Sequence, residues 1–224
     1  MREQVRAAER YFGSFVDDYH EAFRGGGRGL LQGTINRLFR RKTFQRRTEI
    51  VKDLLARHGV AGKRVLDLGC GSGEVSIVAA RLGARVTGLD IVEGMVQVAR
   101  REAAAAGVAD RTDFQVRDIT RLSAETADVT LLVGVVEYYA DLAALLGPVA
   151  SATRELIIIA DTRGPWWRRT LRRALARAKH FYLYYRDPQE LAGVLAPFGF
   201  VPADRIIGHS FTVMAFRAQA SVTR

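Results

Sequence analysis

From Lys63 onward the sequence predicts an α/β fold: a mostly parallel sheet with helices on both faces and one antiparallel terminal strand, behind an N-terminal helical cap. Short apolar runs of strand length alternate with helix-length segments from Lys63 to Ala160. Gly83 and Gly107 stand where two of those helices should stop. Near the end, Arg205-Ile206-Ile207 and Phe211 to Phe216 are split only by Gly208-His209-Ser210, a link short enough for a hairpin, so one of this pair runs against the rest.

In chain order, Val5 to Phe23 is helical, with Phe12, Phe15, Val16, Tyr19 and Phe23 spaced for one face. The glycine-rich stretch Gly25 to Gly29 ends it. Leu30 to His58 forms one long helix or two, stopped at Gly59. Strand Arg64 to Leu68 then runs through a glycine turn into a helix from Glu74 to Leu82. Strand Arg85 to Leu89 is followed by helix Val92 to Ala106, and Thr112 to Val116 is the third strand. Ala127 to Val133 is the fourth, Asp141 to Thr153 a helix and Glu155 to Ala160 the fifth strand. Pro165 opens a further helix, and Asp187-Pro188 starts another that reaches Pro197 before the hairpin. The segments are a helical cap (1–60), a ligand-binding core (61–160), a basic amphipathic insertion (161–186) and a closing helix and hairpin (187–224).

A chain of 224 residues suits a single hydrophobic core. It holds no uncharged apolar run long enough to span a bilayer and opens with mixed charges rather than a secretory signal. The single cysteine, Cys70, excludes an internal disulfide, and four scattered histidines show no metal-ligand spacing, so no metal is expected. A cytoplasmic location is the expectation. The net charge of +10 is concentrated in two windows free of acids. Arg37 to Arg47 carries six positive charges and Arg163 to Arg186 carries eight, leaving the remainder mildly acidic. Such windows suit an anionic substrate, nucleic acid or an anionic membrane face, or simply solvate the surface.

The sharpest motif is Val65-Leu66-Asp67-Leu68-Gly69-Cys70-Gly71-Ser72-Gly73-Glu74, a buried strand entering a glycine loop that opens a helix. A dinucleotide fingerprint needs a third glycine at position 74, where this chain has Glu74, and an acid there repels a pyrophosphate. A P-loop fails because no Gly-Lys-Ser/Thr follows. Asp67 and Glu74 instead suit a ligand with a cationic group and no phosphates. Asp90 ends the second strand about 20 residues after the loop, the offset of a ribose-binding carboxylate. Asp118 follows the third strand, where it either reaches a base amino group or caps a turn. Acids at three successive strand ends surround one glycine loop.

The stretch VLDLGCGSGEVSIVAARLGARVTGLDIVEGMVQVAR closely resembles the cofactor-binding half of class I S-adenosylmethionine-dependent methyltransferases, over about Lys63 to Ile159. The resemblance implies a seven-stranded Rossmann-like sheet with its last strand antiparallel. It implies S-adenosylmethionine as cofactor and S-adenosylhomocysteine as product. By the same resemblance Asp67, Gly69, Cys70, Gly71 and Gly73 lie by the methionine end, Asp90 and Ile91 by the ribose and adenine, and Met95 near the adenine. Asp118 and Ile119 bracket the base, while Gly134 and Val135 line the methionine side. Tyr11-Phe12, the basic helix before the loop and the RRALARAKHFYLYY region look most like magnesium-protoporphyrin O-methyltransferases and their small-molecule relatives. Those carry a histidine-tyrosine pair where this chain has Glu137-Tyr138-Tyr139.

The methyl end then faces Glu137, Tyr138 and Tyr139, overlaid by the N-terminal helices and the basic insertion. Catalytic candidates are Glu137, Tyr138, His20 and Tyr19, with Tyr11, Tyr139, His180 and Tyr182 nearby in the expected cleft. His58 and His209 are expected to be structural. In the insertion, Trp167, Leu171, Ala174, Leu175 and Ala178 form one stripe, and Arg168, Arg169, Arg172 and Arg177 occupy much of the rest. This helix suits a substrate clamp, a contact with an anionic membrane, or a core-packing role with a solvated basic face. The function expected is methyl transfer to a small or amphipathic, anionic metabolite, with nucleic acid disfavoured as partner. The alternatives are an RNA methyltransferase and a non-catalytic protein that binds the cofactor.

Overall fold

The computed structural model describes residues 31–122, 126–178 and 182–219, together with Glu9 and Gly13. Tyr11, Tyr19, His20 and His180, all named above, lie outside the described residues, as does the helix expected over Val5 to Phe23 apart from those two positions. Chain order runs α1 (Leu31–His58), β1 (Arg64–Leu68), α2 (Glu74–Arg81), β2 (Arg85–Asp90), α3 (Glu93–Ala105), β3 (Thr112–Val116) and β4 (Ala127–Val133). It continues α4 (Leu142–Ala152), β5 (Thr153–Thr162), α5 (Trp166–Ala178), α6 (Pro188–Leu195), β6 (Phe200–Ile207) and β7 (Phe211–Ala218). The segment Leu31–His58 is one continuous helix rather than two.

All seven strands join one sheet in the order β3-β2-β1-β4-β5-β7-β6. Strands β1 to β5 pair in parallel, and β7 runs antiparallel to both β5 and β6. The chain moves outward from β1 through β2 to β3, then returns to place β4 on the other side of β1. The carboxyl ends of β1 and β4 therefore flank the point where the winding reverses, the place where open α/β sheets bind ligands.

Both faces of the sheet are covered, as the two-residue side-chain period requires. Ile158 and Ala160 of β5 pack on one side with Val51, Leu54 and Leu55 of α1 and Val75, Ala79 and Ala80 of α2. Ile157 and Ile159 pack on the other, with Leu145, Leu146 and Val149 of α4 and Leu191 and Leu195 of α6. A strand buried on both faces must be apolar at every position, which is why this run shows no alternation. The end of α1 is fastened to the hairpin: Arg57 and His58 each reach Asp204 at 2.8 Å, and Arg217 meets His58 Nδ1 at 2.8 Å. His58 is structural, as expected.

Two elements depart from the sequence expectation. Strand β6 begins at Phe200, not Arg205, and runs through Pro202 and Asp204. An edge strand has one pairing partner and one open side, so a proline and charges are tolerated there. Helix α5 has the expected span, but its apolar stripe does not enter the core: Ala176 is buried, while Trp167, Leu171 and Leu175 are exposed. The core-packing reading of that helix is thereby overturned. Among the described residues no helix is long and apolar enough to cross a membrane, and no group of side chains is arranged to hold a metal.

Candidate active site

The loop after β1 needs its glycines for shape. Gly69, Gly71 and Gly73 have φ of 71°, 52° and 80°, a region that side chains with a Cβ rarely adopt. A Cβ on Gly69 would stand 2.6 Å from Cγ2 of Val135, so the loop after β1 presses directly on the loop after β4. Gly73 opens α2, and a Cβ there would meet Ala99 and Phe114, placing its bare side toward the core under the loop. Cys70 is buried beside the loop, and burial raises its thiol pKa well above the ordinary value, so it stays an unreactive thiol.

Carboxylates line this end of the sheet. Asp67 is 2% exposed and accepts a hydrogen bond from Ser76 Oγ at 2.6 Å. Burial pushes its pKa up to about 6, with the nearby charge of Asp90 adding to the rise and the Ser76 bond opposing it. Asp90 accepts from Gly71 N–H and Val92 N–H, both at 2.9 Å, thereby tying the glycine loop to the start of α3. Burial raises its pKa despite those donors. With Ile91 N–H also lowering its pKa, the Asp90 carboxylate retains acceptor capacity for a hydroxyl donor. Glu74, in the first turn of α2, is pushed to about 7 by burial, against the opposing charge of Arg47.

Ile91 is half-buried just after Asp90, Met95 is buried on α3, and Ile119 is buried in the core beside Leu89. Asp118 accepts from Thr120 N at 2.9 Å and Thr120 Oγ1 at 2.7 Å, capping the turn Ile119–Arg121. Its turn-capping alternative is thus realised in the fold.

Across the loop contact, Gly134 has φ of 74°, and a Cβ there would come 3.1 Å from Nη1 of Arg47. Arg47 is 8% exposed on α1, so the last member of the first basic window turns inward against the site. Glu137 is 2% exposed in the turn Val136–Tyr138. Its Oε1 accepts from Thr162 Oγ1 at 3.2 Å and lies 3.5 Å from Nη2 of Arg172, while its Oε2 is buried with no hydrogen-bond partner among the described residues. Tyr184 N–H donates to the Glu137 carbonyl at 2.8 Å. Asp161, the penultimate residue of β5, is buried; burial and the charge of Glu137 raise its pKa well above the carboxylate range. Arg47 and Arg172 both oppose that rise, so one arginine from each basic window acts on the same carboxyl.

Tyr138 packs with Leu183, Tyr185 and Ala176, on the side of α5. Tyr139 is half-buried, and burial raises its phenol pKa, with Asp118 and Asp90 adding to the effect. Tyr182 is exposed beyond α5, and His209 is exposed in the hairpin turn. Arg47, Thr162 and Asp161 were not singled out from the sequence. Asp161 obeys the rule that found Asp67 and Asp90, an acid at the carboxyl end of a buried strand, and that rule applied to β5 would have found it.

The family model described as a methyltransferase domain matches residues 60–187. The chain belongs to this family. It is a member of the class I S-adenosylmethionine-dependent methyltransferases, and the seven-stranded sheet and glycine loop are in accord. Among curated relatives, the ubiquinone biosynthesis O-methyltransferase of Ruegeria sp. (strain TM1040) is 33% identical over 177 residues, covering 73% of this chain and 70% of that protein. The protein of the same name from Xanthomonas axonopodis pv. citri is 33% identical over 153 residues, and the match spans 63% of its length. Among solved structures, the magnesium protoporphyrin IX methyltransferase of Synechocystis with bound S-adenosylhomocysteine superposes with a TM-score of 0.77. That match covers 96% of this chain and 100% of the other at 21% identity, a likeness of fold.

The residues of this chain fit the cofactor of the family. The left-handed Gly69 and Gly71 bare the loop backbone, and the carboxylates of Asp67, Glu74 and Asp90 supply acceptors for a ligand carrying hydroxyls and positive charge.

Proposed function

We propose that this chain methylates a hydroxyl oxygen of a small amphipathic molecule, with Glu137 as the group that takes the hydroxyl proton. The observation that carries the reading is Oε2 of Glu137: a buried carboxylate oxygen without a partner among the described residues, in the turn after β4, two residues from the Val135 that abuts Gly69. A buried acceptor left unpaired costs about 1–3 kcal/mol, and a ligand group that donates to it offsets that cost. Bound S-adenosylmethionine supplies an electrophilic methyl on a positively charged sulfur.

Asp90 would hold the ribose hydroxyls through its remaining lone pairs. Asp67 and Glu74 would face the amino group, and Arg47, lodged at Gly134, the carboxylate of the methionine portion. Ile91, Met95 and Ile119 would enclose the base. Methyl transfer is a displacement in line, so the chain's main task is alignment, with proton removal at the acceptor. Arg172 and Thr162 hold Oε1 of Glu137, which leaves Oε2 directed to the acceptor. Support for oxygen as the acceptor comes from the relatives named as O-methyltransferases. The arginines of α5 support an anionic substituent on the acceptor.

The test is turnover to S-adenosylhomocysteine on a panel of alkyl-substituted catechols, catechol carboxylates and the matching amines. Oxygen methylation of the catechols, strongest for the carboxylates at low salt, is the expected result. Methylation of the amines alone would overturn the acceptor assignment. Tight S-adenosylhomocysteine binding with no turnover on any acceptor would favour a non-catalytic role.

A further inference from the structure

Helix α5 turns its tryptophans outward and its arginines partly inward. On the inner side Ala176 is buried with Leu183, against Tyr138 and Tyr185. The guanidinium groups of Arg169, Arg172 and Arg173 lie 4.7, 5.7 and 5.2 Å from the centre of the Tyr185 ring. On the outer side Trp167, Leu171 and Leu175, four residues apart, form a stripe with exposures of 56%, 53% and 58%. Trp166 at the helix start is 78% exposed, and Tyr182 beyond its end is 52% exposed. The other large exposed apolar side chains among the described residues, Val116, Phe198 and Ile207, belong to β3, the turn after α6 and β6. One contiguous apolar patch on one helix therefore stands out from scattered single residues.

We infer that this face of α5 docks on an anionic lipid surface. The helix carries five arginines and no acid; Arg173 and Arg177 are exposed, while Arg168, beside Trp167, is half-buried and donates to Ser210 Oγ at 3.4 Å. Tryptophan and leucine can enter the headgroup boundary while arginine side chains reach the phosphates beside them. A second copy of the chain is a poor occupant, because a two-fold contact would press the same arginine rows against each other. Nucleic acid would use the arginines and leave the leucines in water. Arg172 reaches Glu137 from the inner side of the same helix, so docking would set the acceptor side of the cleft at the lipid surface, where an amphipathic acceptor resides. That last consequence rests on the proposed function; the docking itself does not.

The experiment is co-sedimentation of the full chain with vesicles of phosphatidylcholine alone and of phosphatidylcholine mixed with phosphatidylglycerol, with S-adenosylhomocysteine affinity measured in parallel. The expected result is binding to the anionic vesicles only, weakened by salt. Trp167→Ser with Leu171→Ser should reduce it by about tenfold or more, and Arg177→Gln by about fivefold. All variants should keep the S-adenosylhomocysteine affinity of the parent chain, which shows that they fold. Failure to sediment with anionic vesicles, equal binding to both compositions, or variants that bind like the parent would overturn the inference. So would a dimer that Leu171→Ser dissociates while vesicles are ignored, or RNA binding lost in the same variants without lipid binding. None of these readouts involves turnover, so a failure here leaves the methyl-transfer reading standing, and the reverse holds too.

Discussion

The two halves of the cleft hold their carboxylates in different ways. On the half proposed for the cofactor, Asp67 is bonded to Ser76 and Asp90 to Val92 within their own β-loop-α units, and Asp90 also accepts from Gly71 in the loop of the preceding unit. On the half proposed for the acceptor, Glu137 is held by Thr162 at the end of β5 and by Arg172 on α5, and Asp161 feels Arg47 from α1. The first set is local and repeats a pattern; the second is assembled from four distant segments. Local geometry can serve one invariant ligand, whereas an acceptor site built from separate elements can change as any of them changes.

The largest separation of the halves should come from single carboxylate losses. Glu137→Gln should lower kcat by about a hundredfold to ten-thousandfold, the range of a lost general base, with S-adenosylhomocysteine affinity nearly unchanged. Asp90→Ala should do the reverse, weakening S-adenosylhomocysteine by about tenfold to a hundredfold in calorimetry. If Glu137→Gln loses cofactor affinity and keeps kcat, Glu137 belongs to the cofactor half and the comparison collapses.

A smaller effect tests the seam between the halves. Gly69 and Gly107 share a φ of 71°, but a Cβ on Gly69 meets Val135 at 2.6 Å, whereas one on Gly107 meets nothing within 4 Å. Gly107→Ala should cost about 1 kcal/mol in urea unfolding from backbone strain alone. Gly69→Ala should cost roughly 1–3 kcal/mol more, because Val135 or the loop must move. Equal costs would mean that the two loops are not pressed together in solution.

The smallest expected effect is on pH dependence. Asp67 rises from the usual 3.8 to about 6, and Glu74 from 4.5 to about 7. In the folded chain both keep protons that the unfolded chain has already released. Below about pH 4 neither group contributes to this difference, and stability then falls as pH rises toward about 7, where the cost of the two buried charges is complete. A cationic ligand beside them favours their charged forms. S-adenosylmethionine should therefore bind several-fold more tightly at pH 7.5 than at pH 5.5 and release protons, as read by calorimetry in buffers of different ionisation enthalpy. Affinity independent of pH would remove Asp67 and Glu74 from the cation-facing set.

Much of the fold is legible in the sequence, as are the loop and carboxylates proposed to hold the cofactor, because the causes are near each other in the chain. Gly69, Gly71 and Gly73 mark a turn only glycine makes easily, and Asp67 and Asp90 sit at the ends of runs that must be buried strands. The alternation of those runs with helices points to the parallel sheet, and the three-residue link Gly208 to Ser210 makes one of the last two strands run against the rest; that it is β7 was decided by its pairing with β5. The remainder needed tertiary structure. Nothing local distinguishes Arg47 from the neighbouring Arg46, which is exposed; burial against Gly134 does. The periodicity of α5 shows that it has two faces, but not which one meets the protein. That was decided by Glu137 and Tyr185, which draw Arg172 inward from distant parts of the chain and leave Trp167 and Leu171 facing out.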